Sequence, residues 1–205
     1  MKRVVVVGGM GAGKSTVCAA LADAGAQRID LDKLGHEVLE YADVKRELAD
    51  AFGRDVIDEQ GQVDRAALAA KAFATDAATE TLNRITRPRI EAACAGRLRE
   101  LETAGCAAAV VEFSAFQSRD DAIARDADVV VAVVAPVQLR VARAVARGWG
   151  KADVQRRIAR QISDEERIAQ ADVVFDNSGA SDDLQRRVLN WWQAYEKETL
   201  KPQAE

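Results

Sequence analysis

The chain has 205 residues, 48% apolar and 30% charged, with a net charge of −4; that is one domain, or one with a modest insert, able to bury a core without disulfides. Twenty-nine Lys and Arg are offset by 33 Asp and Glu, which argues against nucleic acid as the main ligand. Three cysteines and the single His36 do not make an ordinary zinc site, and the longest apolar run, Val129–Val137, is about half of the roughly 18 residues a membrane span needs.

The first strand, Arg3–Val7, runs into Gly8-Gly9-Met10-Gly11-Ala12-Gly13-Lys14-Ser15-Thr16. This segment satisfies G-x-x-x-x-G-K-[ST] and is followed by a helical stretch, Ser15–Ala24, which is the strand–loop–helix context of a phosphate loop. Gly9, Gly11, Ala12 and Gly13 let the backbone curl so that N–H groups point at a β-phosphate, with the N-terminus of the helix behind them. Lys14 then reaches the β- and γ-phosphates, and the Ser15 hydroxyl, followed by Thr16, completes a Mg²⁺ shell. The ligand expected is ATP with Mg²⁺. A Rossmann loop is the rival, with Asp30 near its acidic-residue distance, but Lys14 stands where its third glycine belongs.

The second strand, Ala26–Ile29, ends at Asp30 and Asp32, two carboxylates at i and i+2. Ligands bind at the C-terminal ends of parallel strands, so this edge belongs with the nucleotide. Helix capping and function weigh equally for Asp30, and position favours function for Asp32. Residues 43–103 read as a helical insert, with loops at Gly53 and 58–61 and with Pro88 punctuating the periodicity of Leu82, Ile85, Ile90 and Ala93. Strands follow at Ala107–Glu112, Asp128–Val134 and Asp172–Phe175. Val129–Val134 is apolar throughout, as in a strand covered on both faces. Strands alternating with helices imply a parallel α/β sheet. Between the last two strands, Arg140, Arg143 and Arg147 form either a lid over phosphates or a solvated basic face, Arg143 and Arg147 being i, i+4. The tail, 201–205, is polar and expected to fray.

The combination resembles the dephospho-coenzyme A kinase family, P-loop kinases that read G-G-[IM]-G-S-G-K-S-T and then D-A-D-x-x-[AG]-[RH]-E-V. Here Gly8–Thr16 is followed by Asp30-Leu31-Asp32-Lys33-Leu34-Gly35-His36-Glu37-Val38. Further matches are Phe52-Gly53, Gly61–Leu68, Phe73, Leu82–Ile90, Gln138, residues 157–161 and Ala171–Gly179. They span nearly the whole chain in family order.

The resemblance implies a five-stranded parallel P-loop NTPase core, read as a single domain over 1–205, with a helical acceptor-binding insert at about 43–103 and a lid at about 138–161. It implies ATP-dependent phosphorylation of the ribose 3′-hydroxyl of dephospho-CoA by a cytoplasmic monomer or small homo-oligomer, with no nucleic-acid or membrane partner. Asp32 takes the place of the acceptor-side base, with Lys14 and Arg143 as the other catalytic residues. Arg147 and Asn177 fall on the ATP side, and Arg65 and Arg87 are cations for the acceptor. His36 either touches the acceptor or is an ordinary helix-surface residue. Glu112, in the place of the family's Asp, is the second candidate for Mg²⁺ beside Ser15.

Three segments depart from the family pattern. Val111-Glu112-Phe113-Ser114-Ala115-Phe116-Gln117 replaces D-x-P-L-L-[FV]-E and alters the expected acceptor wall. Arg87-Pro88 stands for His-Pro, and Val141 stands where the spacing from Gln138 calls for arginine. The alternatives are a kinase of another small molecule or nucleotide, and a non-catalytic nucleotide-binding paralogue.

Overall fold

Valine builds the centre of the molecule. The computed structural model describes residues 1–179 and 181–199, so the tail at 201–205 lies outside the described residues. Among them are five strands: β1 (Lys2–Gly8), β2 (Gln27–Asp30), β3 (Ala108–Phe113), β4 (Val129–Val134) and β5 (Val173–Asp176). They form one sheet in the order β2-β3-β1-β4-β5, with every pairing parallel. Each strand lies within one residue of its expected bounds. Val4, Val5, Val6 and Val7 are all buried, as are the six residues of β3. Both sheet faces are therefore covered, which is why these strands read as continuous apolar runs.

The chain divides into two compact units, Met1–Asp30 with Arg99–Glu205, and Leu31–Leu98. In the first, helix α1 (Lys14–Asp23) follows β1. Val17, Cys18 and Leu21 of α1 pack with Val4 and Val6, and with Leu184, Val188 and Trp192 of the last helix, Ser181–Thr199.

The second unit opens with α2 (Leu31–Leu39) and α3 (Ala42–Phe52). A 3₁₀ turn at Arg54–Val56 and an Ile57–Val63 bridge lead into α4 (Arg65–Ala72). The Asp64 carboxylate caps α4 by accepting from the Ala66 and Ala67 amides. The long α5 (Asp76–Thr103) follows.

Two expectations about this region change. The unit starts at Leu31, not at Asp43, because Val38 of α2 packs in the same core as Val44, Leu48, Leu68 and Ile85. Pro88 does not punctuate the helix: α5 runs through it. An interior proline costs about 3 kcal/mol. The burial of Ile85 and the packing of Leu82, Ile90 and Ala93 on the same core offset that cost.

After β3 the first unit continues with α6 (Ala122–Arg125), α7 (Val137–Ala146), α8 (Lys151–Ala159), α9 (Asp164–Ala169), which contacts β1 and β4, and the last helix, α10 (Ser181–Thr199). No helix among the described residues is long and apolar enough to cross a membrane.

Candidate active site

The loop between β1 and α1 turns through two left-handed glycines, Gly11 (φ 75°) and Gly13 (φ 110°). Gly13 is the N-cap of α1, and no side chain caps that helix. The positive end of α1 thus opens on the loop without a capping side chain, the setting that anion sites exploit. Lys14 is buried, its Nζ donating to the carbonyls of Gly8 (3.0 Å) and Gly9 (3.4 Å).

The glycines are also needed where other groups press on the loop. A Cβ at Gly9 would overlap the Arg140 guanidinium, one at Gly11 the Arg140 carbonyl, and one at Gly13 the Asn177 amide nitrogen. Asn177 Nδ2 donates to the Ala12 carbonyl at 2.8 Å, and the Asn177 backbone carbonyl accepts from Arg143 Nη2 at 2.9 Å.

Arg140 is 3% exposed and holds the tip of the loop. Its Nε donates to the Met10 carbonyl (3.1 Å), Nη1 to both oxygens of Asp164, and Nη2 to Gln161 Oε1. Gln161 Oε1 in turn accepts from the Met10 amide at 2.9 Å. Arg167 Nη1 donates to the same Asp164 at 2.6 Å; burial draws the Arg167 pKa below its ordinary value, against the pull of Asp164. Neither Arg140 nor Arg143 lies on a solvated face. Arg147 is exposed and stands at the C-cap of α7, one residue past the helix that was expected to align it with Arg143.

Removing Arg140 leaves Asp164 with Arg167 alone and takes the buried donor from the Met10 carbonyl and from Gln161. Arg140→Met is therefore expected to cost about 3 kcal/mol of unfolding free energy, about 1 kcal/mol for each lost interaction. Arg147→Ala should stay within about 0.5 kcal/mol. Urea denaturation of both variants checks the contrast.

Ser15, Glu112 and Arg28 form the third part of the site. In the ladder, Glu112 lies between Val6 of β1 and Asp30 of β2. Its Oε1 accepts from Ser15 Oγ at 2.7 Å and its Oε2 from Arg28 Nη2 at 2.5 Å, while Arg28 Nη2 is 3.7 Å from Asp30. Burial works against the charge of Arg28, but its hydrogen bond to Glu112 and the attraction of that carboxylate outweigh it and raise its pKa. Cys18 is fully buried in the core, and that burial, reinforced by Glu112, pushes its thiol up.

The hydroxyl and carboxylate oxygens of Ser15 and Glu112 are hard donors that suit Mg²⁺. That ion takes one or two protein oxygens and completes its shell with phosphate and water. Among the described residues no group of three or more His, Cys, Asp or Glu is placed to hold a metal by itself.

The altered segment after β3 turns inward. Phe113 and Phe116 are buried and pack edge to face with centroids 6.0 Å apart, so both act as core residues.

Asp30, the end of β2, directly precedes α2; in the second unit, Asp32 is an exposed residue of the first turn of α2, past the capping position. His36 and Arg65 come together in an open cavity of about 600 Å³ with Asp58, Val63, Asp64 and Ala66. Arg87 does not join them. It lines a separate cavity with Asn83 and Arg84, and its Nε is 3.1 Å from Glu91 Oε1, one turn along α5.

Sequence reasoning missed Arg28, Gln161 and Asp164. Arg28 shares a strand face with Asp30, which period-2 alternation shows, but its meeting with Glu112 needs the register of two strands. Gln161 ends the family-matching stretch 157–161, but its partner Met10 lies 151 residues away, so no local pattern shows what it binds.

The sequence profile of the family described as dephospho-CoA kinase matches residues 3–183. A dephospho-CoA kinase of Corynebacterium glutamicum is 41% identical over 186 residues, covering 90% of this chain and 92% of that protein. A crystal structure from Thermus thermophilus superposes with a TM-score of 0.72 at 27% identity, covering 94% of this chain and 97% of that one. The dephospho-CoA kinase from Campylobacter jejuni shares the fold, with a TM-score of 0.65 at 21% identity over 94% and 96%. With the profile running over nearly its whole length and a relative of that identity covered almost end to end, this chain belongs to the dephospho-CoA kinase family.

Proposed function

We propose that the chain transfers the γ-phosphoryl group of ATP to the ribose 3′-hydroxyl of dephospho-CoA, giving CoA and ADP. The observation that carries this reading is the family match over residues 3–183. That match includes the acceptor-side stretches Asp30–Val38 and Leu82–Ile90 as well as the phosphate loop.

Phosphoryl transfer asks a protein mainly for positioning and charge stabilisation. Backbone amides at the Gly13 turn and the ammonium of Lys14 hold the β- and γ-phosphates, while the Met10 and Ala12 amides fix the loop through Gln161 and the Gly9 carbonyl. Asn177 bears on the same loop and is held in turn by Arg143, and Arg147, exposed at the end of α7, is the lid cation that approaches the phosphates. Ser15 and Glu112 would hold Mg²⁺, which when bound would offset the negative charge of the phosphates. Asp32 orients the acceptor hydroxyl and accepts its proton. Arg65, which shares a cavity with His36, is the first candidate for the acceptor's pyrophosphate, ahead of Arg87 with its Glu91 partner.

The test follows ADP release with dephospho-CoA, adenosine, a sugar or water as acceptor. Release with dephospho-CoA, and a product with the mass of CoA that serves a CoA-dependent enzyme, supports the proposal. Release with a sugar or a nucleoside alone overturns it. Arg65→Ala is expected to raise the KM for dephospho-CoA about tenfold, the worth of one charge-assisted hydrogen bond. The KM for ATP should stay unchanged in the same assay.

A further inference from the structure

Glu112 is 7% exposed, and a buried carboxylate needs both a counter-charge and hydrogen bonds to stay ionised and in place. Arg28 supplies them from the neighbouring strand. The β2–β3 register sets Arg28 opposite Val110 and Asp30 opposite Glu112, so Arg28 and Glu112 are diagonal neighbours on one face of the sheet. The two carboxylate oxygens then have separate partners: Oε2 accepts from Arg28 Nη2 at 2.5 Å and Oε1 from Ser15 Oγ at 2.7 Å.

We infer that Arg28 is a positioning residue that pins the Glu112 carboxylate through Oε2, so that Oε1 stays turned to Ser15 and the metal-binding edge of the phosphate loop. The inference rests on the reading of Ser15 and Glu112 as the Mg²⁺ ligands. Glutamate has one more rotatable bond than aspartate, so a carboxylate at this position can swing out of line unless something holds it. Arg28 holds it with a charge-assisted bond that leaves the second oxygen with open lone pairs. Groups that orient a metal ligand from behind typically change metal affinity about 10–100-fold when removed. Arg28 also sets its positive charge between Glu112 and Asp30, two carboxylates adjacent across the ladder.

The test compares wild type, Arg28→Ala, Arg28→Lys and Glu112→Gln as full-length proteins. Calorimetry measures binding of a non-hydrolysable ATP analogue across a Mg²⁺ titration and in EDTA, with melting temperature as a check on folding. Arg28→Ala is expected to need about tenfold more Mg²⁺ for half-maximal analogue binding. Binding in EDTA should be unchanged, as should the acceptor KM in turnover assays. Arg28→Lys, which restores the charge, should recover most of the Mg²⁺ affinity; a purely structural role for Arg28 would not produce this split.

An unchanged Mg²⁺ requirement in Arg28→Ala overturns the inference. A lowered one does too, since Arg28 would then be a competitor of the metal. Should Arg28→Ala fail to fold, Arg28→Gln, which keeps a donor without the charge, carries the same expectation. Glu112→Gln separates the two levels of the reading. If it leaves the Mg²⁺ requirement unchanged, the metal site itself is wrongly assigned. If it raises the requirement while Arg28→Ala does not, only the role of Arg28 fails.

Discussion

Lys14→Ala is expected to lower turnover about 10²–10³-fold, the range found when one preorganised charge donor is removed from a site where charge develops. Lys14 is buried at the first turn of α1, and its Nζ already lies over the loop, bonded to the carbonyls of Gly8 and Gly9. A triphosphate seated on the loop amides meets that ammonium after only a small swing of the side chain, so little reorganisation is needed. Truncation removes both the charge and the donor to those carbonyls, and it should cost about 1 kcal/mol of stability as well. Lys14→Arg should not restore activity. Lys14 Nζ is a compact donor to the Gly8 and Gly9 carbonyls, and a planar guanidinium does not reproduce that point charge and its geometry. Acceptor-dependent ADP release at saturating ATP gives the turnover, and calorimetry gives the affinity for the analogue. A Lys14→Ala enzyme within about tenfold of wild type would remove Lys14 from the transition state.

The parts of the fold that could be read in advance are those whose cause is local. Val4–Val7 and Val129–Val134 announce themselves as strands because both faces are covered and no residue has to be polar. The phosphate loop is legible because its glycines, lysine and hydroxyl must be consecutive. Pro88 misled because its local signal, a lost amide and a clash, is outweighed by side chains two to six residues away that pack on a common core. The start of the second unit at Leu31 was hidden for the same reason: Val38 looks like any amphipathic-helix residue until its partners are known.

Among the site residues, the limit is sequence distance. Arg140, Arg143 and Arg147 read as one basic series, yet Arg140 is sequestered by Asp164, 24 residues on, and by Met10, 130 residues back. Arg87 replaces a family histidine inside a stretch that matches around it, and its pairing with Glu91, four residues on, shows only in the folded helix. Glu112 could be singled out as a carboxylate at a strand end, whereas its hold by Arg28 exists only once β2 lies beside β3.

Asp32→Asn is expected to lower kcat about 10²-fold or more while affinity for the ATP analogue remains that of wild type. Asparagine has the shape of aspartate and can still orient a hydroxyl, so the substitution isolates the proton acceptor from the hydrogen-bonding role. Asp32 is exposed in the first turn of α2, so the change should alter stability by less than about 0.5 kcal/mol. A fall in rate with an unchanged melting temperature would then be chemical in origin. Asp30 provides the internal comparison. It ends β2, lies 3.7 Å from the Arg28 guanidinium, and immediately precedes the helix. Asp30→Asn should therefore disturb the Arg28–Glu112 pair, and with it the Mg²⁺ requirement, more than the proton transfer. A large kcat loss in Asp30→Asn with near-normal turnover in Asp32→Asn would reverse the two roles. Near-normal turnover in both would mean that the acceptor hydroxyl loses its proton without a protein carboxylate, as a loose transition state in which the proton leaves late would allow.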